Sequence, residues 1–343
     1  MTTARPASRR RALLAGLAVA IAATAPAKAQ YFRGKTLHLY IGPGTAGSGY
    51  DQYGRLAGRH LGRHLPGQPN VVVQNMNGGA GLVLANYLFN VAPRDGTAIG
   101  MIADSAPLNE LLGMVGTRYR SASFNWIGLV TTVANLTMTW RGSRVREIGD
   151  ALSIEVPVSA GPAGGNAWQM PALLNAIVGT KFRLVAGYAS TAAMQLAMER
   201  GETEGAYGDW ASLKATHPDW IRDGKLNLLV QYTLERDREL PDTPTAIELA
   251  RTPEDRQLLL LGTGGGGIGR HLVAPPDMPP DVVEMLRAGF AAAMADPELI
   301  ADAARSNLPT DPLDGASLQA IVAKVTATSP GVIARARELL GGK

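Results

Sequence analysis

Residues 37 to 53 read Leu-His-Leu-Tyr-Ile-Gly-Pro-Gly-Thr-Ala-Gly-Ser-Gly-Tyr-Asp-Gln-Tyr. Leu37, Leu39 and Ile41 form a short apolar run with β-compatible neighbours, which predicts a buried strand. The run stops at Gly42, and Gly42, Pro43, Gly44, Gly47 and Gly49 make a loop with little side-chain bulk. From Asp51 the apolar spacing turns helical through Tyr53, Leu56, Leu61 and Leu65. Strand, glycine loop and helix start, in that order, direct backbone N–H groups and the positive end of a helix dipole beyond the strand's carboxyl end. The joint predicts an anion site.

The pattern recurs along the chain. Val71 to Val73 predict a second strand leading through Asn75 to Gly81, with Asn77, Gly78 and Gly79 at its centre, into a helix from Leu82 to Val91. Ile99 to Ile102, then Asp104 and Ser105, lead into a Pro107-started helix. Strands alternating with helices at this spacing imply a mostly parallel sheet whose ligand crevice lies beyond the strand ends. Trp126 to Trp140 is long, β-prone and aperiodic, and reads as a strand passing into a second domain. There the alternation restarts: a strand from Ile154, a loop from Ser159 holding Gly161, Gly164 and Asn166, and a helix to Val178. A strand over 182–186 follows, then Gly187 and Tyr188, a helix capped by Ser190 or Thr191, and a short strand ending at Asp209. Met194 and Met198 in that helix read as core filler. Leu226 to Tyr232 forms the last strand of this unit, and residues 235–252 are charged and proline-punctuated like a return linker. Leu258 to Leu261 and His271 to Ala274 then read as strands re-entering the first domain, ahead of a helix opened by Pro279 and Pro280.

The expected organisation is therefore an α/β, two-lobed chain. Residues 30–133 and 245–343 form lobe 1, residues 134–244 form lobe 2, and two crossing segments act as a hinge. Residues 1–29 read as an export signal. Arg5, Arg9, Arg10 and Arg11 precede an uncharged run from Ala12 to Pro26, too short to span a bilayer, and Ala27-Lys28-Ala29 supplies a small-x-small cleavage pattern. Arg10-Arg11 also fits a twin-arginine pattern, so either Sec or twin-arginine export into the periplasm is expected. This segment holds five of the 33 basic residues and no acid, which leaves 28 basic against 29 acidic residues. With a near-neutral remainder and no basic stripe carrying aromatics, nucleic acid is not an expected partner. The absence of cysteine excludes disulfides and thiolate metal sites.

Gly42-x-Gly44-x-x-Gly47 spells a dinucleotide fingerprint and supports an alternative, an exported NAD(P)-dependent oxidoreductase. Two details oppose it. The second strand ends at Gln74-Asn75 where a ribose-binding acid is needed, and Asp51 would repel a pyrophosphate at the helix start. Asp51 reads instead as a helix-start residue, a brace for the glycine loop, or an acceptor for a ligand hydroxyl or ammonium. His60 and His64 share a helix face, but Leu61 stands where a zinc protease needs its glutamate, so a solvated basic face is expected. No catalytic constellation, metal site or cofactor emerges.

Together these segments resemble the periplasmic receptors of the tripartite tricarboxylate transporters, the Bug or TctC-like proteins. The resemblance rests on the Pro-Gly-rich loop from Pro43 to Asp51, the Gly-Ala-Gly closing Asn75 to Gly81, and Ala-Pro-Arg-Asp-Gly at Ala92 to Gly96. Pro244-Thr245, Ala274-Pro275 and Pro279-Pro280 add to it. It implies a monomeric, non-catalytic extracytoplasmic receptor that takes a small carboxylate, dicarboxylate, tricarboxylate or aromatic acid, in a closable cleft and hands it to a membrane permease. The family grips the carboxylate through two βα loops, which map to Gly44 through Asp51, including Thr45, Ala46, Gly47, Ser48 and Tyr50, and to Gly187 through Thr191, with Pro43 a candidate contact beside the first. The chain departs from the family's usual Pro-Pro-Gly-Gly-Gly-Thr-Asp by a longer loop with Tyr50, a feature suited to a bulkier acid.

Overall fold

The computed structural model describes residues 29–263 and 267–340. The export signal expected over 1–29 lies outside them except for Ala29. The first sheet orders its strands β11 (Leu313–Asp314), β4 (Asn125–Thr131), β10 (Arg270–Ala274), β3 (Ala98–Met101), β1 (Thr36–Ile41) and β2 (Asn70–Asn75), and the second orders β7 (Phe182–Val185), β6 (Val156–Ser159), β8 (Gly205–Asp209), β5 (Asn135–Trp140) and β9 (Leu226–Gln231). In the first, β1 (Thr36–Ile41), β2 (Asn70–Asn75) and β3 (Ala98–Met101) run parallel, with Leu39 opposite both Val73 and Ile99. In the second, β6 (Val156–Ser159), β7 (Phe182–Val185) and β8 (Gly205–Asp209) are parallel. These parallel halves carry the βα loops. The crossing strands make each sheet mixed: β4 (Asn125–Thr131) runs antiparallel to β10 (Arg270–Ala274), and β5 (Asn135–Trp140) antiparallel to β8 and to β9 (Leu226–Gln231).

The long stretch from Trp126 to Trp140 is therefore two strands, broken at 132–134, each paired into a different sheet. The first lobe's core holds Leu37, Leu39 and Ile41 fully buried, as the opening pattern required. The Gly49–Leu61 helix packs Tyr53, Leu56 and Ala57 into the same core and comes close to the strand where a glycine faces it; a Cβ on Gly54 would stand 2.6 Å from Ile41 Cδ1. Met194 and Met198 pack in a core cluster of the second lobe beside Leu136, Leu213 and Trp220.

Three expectations change. Leu258 to Leu261 are helical within Pro253–Thr263. The start signals are local: Pro253 stands at the first position, and Thr252 and Asp255 form a reciprocal cap, Thr252 Oγ1 accepting from Asp255 N at 3.0 Å. Leu258, Leu259 and Leu261 join the core of β6 and Met170 together with Val332 and Ala336 of the C-terminal Pro330–Leu340 helix, although both segments fall after the boundary expected at residues 244 and 245. His60 and His64 are not on a solvated face. His60 Nε2 lies 3.0 Å from Asp302 Oδ2 and His64 Nε2 2.7 Å from Asp296 Oδ2, forming a polar seam with the Pro297–Arg305 helix and its cap. No helix among the described residues is long and apolar enough to cross a membrane.

Candidate functional site

The βα loops of the two lobes meet around a cavity of about 370 Å³. Four helices of nine or more residues start at its wall, two from each lobe. The first lobe contributes Gly49–Leu61, capped by Ser48, and Leu82–Asn90, preceded by Gly81. The second contributes Asn166–Ile177, preceded by Gly165, and Thr191–Glu199, capped by Ser190. Ser48 and Ser190 cap with their own hydroxyls, accepting from Asp51 N at 3.4 Å and Ala193 N at 3.2 Å. Gly81 and Gly165 have no side chain to do so, which leaves the first N–H groups of their helices without a side-chain acceptor. Four positive helix ends around one hollow favour an anion in it.

Of the residues picked out in the sequence, Pro43, Gly44, Thr45, Ser48, Tyr50, Asn77, Gly78, Gly79, Asp104, Ser105, Gly161, Asn166, Tyr188, Ser190, Thr191 and Asp209 line this cavity. Ala46, Gly47, Asp51, Gly164 and Gly187 do not. Asp51 sits behind the loop, its Oδ2 accepting from Gly47 N at 2.9 Å and its Oδ1 from Asn75 Nδ2 at 3.0 Å, with Arg55 paired at 2.9 Å. Burial opposes its charge, but the hydrogen bonds from Arg55, Gly47 and Asn75 win and hold its carboxyl below the usual range. It braces the loop. The same bond occupies the Gly47 N–H, which a pyrophosphate would need. Gly164 works between the lobes instead, its carbonyl accepting from Ser105 Oγ at 3.0 Å and Asn109 Nδ2 at 2.9 Å.

The site also contains a buried cation that the sequence pattern did not single out. Arg270, the first residue of β10, is 3% exposed and reaches across the interlobe gap to Asp209, Nη2 to Oδ2 at 3.2 Å. Its guanidinium carbon stacks 4.0 Å over the Tyr50 ring. Burial would lower its pKa, but Tyr50, Asp209 and Asp104 raise it, so it stays charged. Asp104 is pushed up by burial, against the pull of Arg270 and hydrogen bonds that include Asn135. Burial likewise raises Tyr50 and Tyr207, keeping both phenols protonated. Asn135 and Arg270 were missed outright, Met194 was read as core filler alone, and Tyr207 lies in the short strand that ends at Asp209 without having been chosen. Arg270 alone left a signal: an arginine opening the otherwise apolar strand His-Leu-Val-Ala, where a charge needs a reason.

Two α/β lobes, double crossing strands and a cavity walled by βα loops from both define the architecture of a two-lobed periplasmic binding protein. No protein-family model and no curated protein matches the chain. Solved structures do. A TctC solute-binding protein from Polaromonas matches with a TM-score of 0.62 at 21% identity, covering 88% of this chain and 99% of its own. MatC from Rhodopseudomonas palustris with bound malate gives 0.66 at 18% identity over 89% and 99%. A further R. palustris protein, with adipate, gives 0.67 at 19% identity over 89% and 98%. The chain shares its fold with these three proteins.

Proposed function

We propose that the protein is an exported receptor that captures a small carboxylate between its lobes and delivers it to a membrane permease of the tripartite tricarboxylate type. The single observation that carries this is the convergence of four helix N-termini, two per lobe, on one interlobe cavity. There backbone N–H groups replace the hydration of an acid group, and closure of the lobes excludes water from it. The guanidinium of Arg270 adds positive charge at the depth of the cleft. Malate and adipate in neighbours of the same fold support the ligand class. The residues proposed to touch the acid are Thr45, Ser48 and Tyr50 from lobe 1 and Tyr188, Ser190 and Thr191 from lobe 2. No reaction is proposed at this site.

A thermal-shift panel of mono-, di-, tri- and aromatic carboxylates tests the reading. A ligand at about 100 times its dissociation constant stabilises the native state by about 2.7 kcal/mol, a readily measured rise in midpoint. No shift from any acid, or tight NAD(P)H binding in a fluorescence titration, refutes it.

A further inference from the structure

The inner wall of the cleft holds buried polar atoms without partners, one of them a pure acceptor. Asn166 donates from Nδ2 to Asp104 Oδ1 at 2.9 Å. That bond fixes the amide, since a flipped Asn166 would set oxygen against carboxylate. Asn166 Oδ1 is thereby committed as an acceptor, and it has no partner although the residue is only 9% exposed. The hydroxyl of Tyr207, at 6% exposure, and Arg270 Nε are unpartnered as well. Two carboxylates, Asp104 and Asp209, stand here against one guanidinium. An unsubstituted diacid would leave Asn166 Oδ1 unsatisfied and would bring a further negative charge towards the pair. Buried groups left without partners are costly, which is how a site built for an OH or NH rejects the analogue lacking it.

We infer that this wall selects an acid that also bears a hydrogen-bond donor, a hydroxyl or an ammonium, which meets Asn166 Oδ1 and the Asp104 carboxylate while the acid group faces the helix N-termini and Arg270. The inference rests on the carboxylate-receptor reading and narrows its ligand class. Helix dipoles alone account for an acid. They give no use for the orphaned acceptor.

Calorimetric titration of the whole chain with acids matched in skeleton tests this: propionate, lactate and alanine; succinate, malate and aspartate; adipate, 2-hydroxyadipate and 2-aminoadipate. The expected result is that, at the chain length that fits, a donor-bearing member binds at least about tenfold more tightly than its plain counterpart. The Asp104→Asn variant separates the two donors. It keeps a hydroxyl preference and removes most of an ammonium preference, because only the ammonium draws on the charge. A plain acid binding as tightly as its substituted partners overturns the inference and leaves the receptor standing. Binding of no acid overturns the receptor reading, and this inference with it. A variant control is built in: if Asn166→Leu, shown folded by circular dichroism, keeps the full preference, the wall is not its source.

Discussion

Replacing Arg270 with methionine tests whether the interlobe ion pair holds the cleft together. Arg270 is 3% and Asp209 6% exposed, so the pair is sealed from water. The guanidinium also lies on Tyr50 and attracts Asp104. Removing one partner of a buried pair leaves an uncompensated charge, at a cost of about 3 to 5 kcal/mol, whereas a surface pair would cost under about 1 kcal/mol. Arg270→Met should therefore lose about 3 kcal/mol or more in urea denaturation followed by tryptophan fluorescence. The deficit should depend on pH. Asp104 is already raised by burial, and without Arg270 it rises further, so the native variant binds this proton more tightly than the unfolded chain does. Such a group contributes stability below its unfolded pKa, near 3.9, that is lost as pH rises through the folded value. The deficit should thus be smaller near pH 5 than near pH 8. Adding Asp209→Asn removes the stranded charge while an Asn side chain can still cap Ser212 N, now bonded at 2.8 Å. The double variant should regain about 2 kcal/mol. A single-variant loss under about 1 kcal/mol, or a double variant no better than the single, refutes the reasoning.

A Cβ on Gly49 would stand 2.5 Å from Ser212 Oγ, 3.3 Å from Arg270 Nη2 and 3.4 Å from Asp209 Oδ2, so Gly49→Val should wedge the lobes apart and weaken the tightest-binding acid at least about tenfold, read by calorimetry. Unchanged affinity would show that the lobes do not need this approach. Asp104→Asn should gain stability relative to the parent as pH rises from 4 to 8, because the parent carries the cost of a buried carboxylate with a raised pKa; a gap that narrows over that range contradicts the assignment. Asp51, with its pKa lowered, stabilises above the ordinary carboxylate range and loses that contribution as pH falls through its folded value. Asp51→Asn should therefore cost about 1 to 3 kcal/mol at pH 7, with a gap closing in acid, and should weaken binding by releasing Gly47; thermal melts at pH 7 and pH 3 check the first part.

The parallel halves of both sheets were legible because each strand there is a short apolar run cut off by glycine and followed by helical spacing, as at Ile41, Gly42 and Asp51. The helix of Leu258 to Leu261 was not. Four consecutive leucines carry no period, and the deciding signal was the cap formed by Thr252 and Asp255 several residues upstream. The rim of the site could be read because glycine and small polar residues mark βα turns. Its depth could not, since Arg270 comes from a strand that re-enters the first sheet after lobe 2, and Asn135 from a crossing strand. Only the closed topology brings them to Asp104, Tyr207 and Asp209. The polar seam of His60 and His64 hid for a similar reason, its acids lying more than 200 residues away in the Pro297–Arg305 helix and its cap.

A crystal structure of the protein with its tightest-binding acid tests the central claim most directly. The account predicts a carboxylate seated between the lobes, its oxygens about 2.7 to 3.2 Å from backbone N–H groups or bridging waters at Thr45, Gly49 and Tyr50 on one side and Ala189 to Thr191 on the other. An acid bound outside the interlobe cavity, or held by one lobe with the facing helix starts turned away, contradicts it.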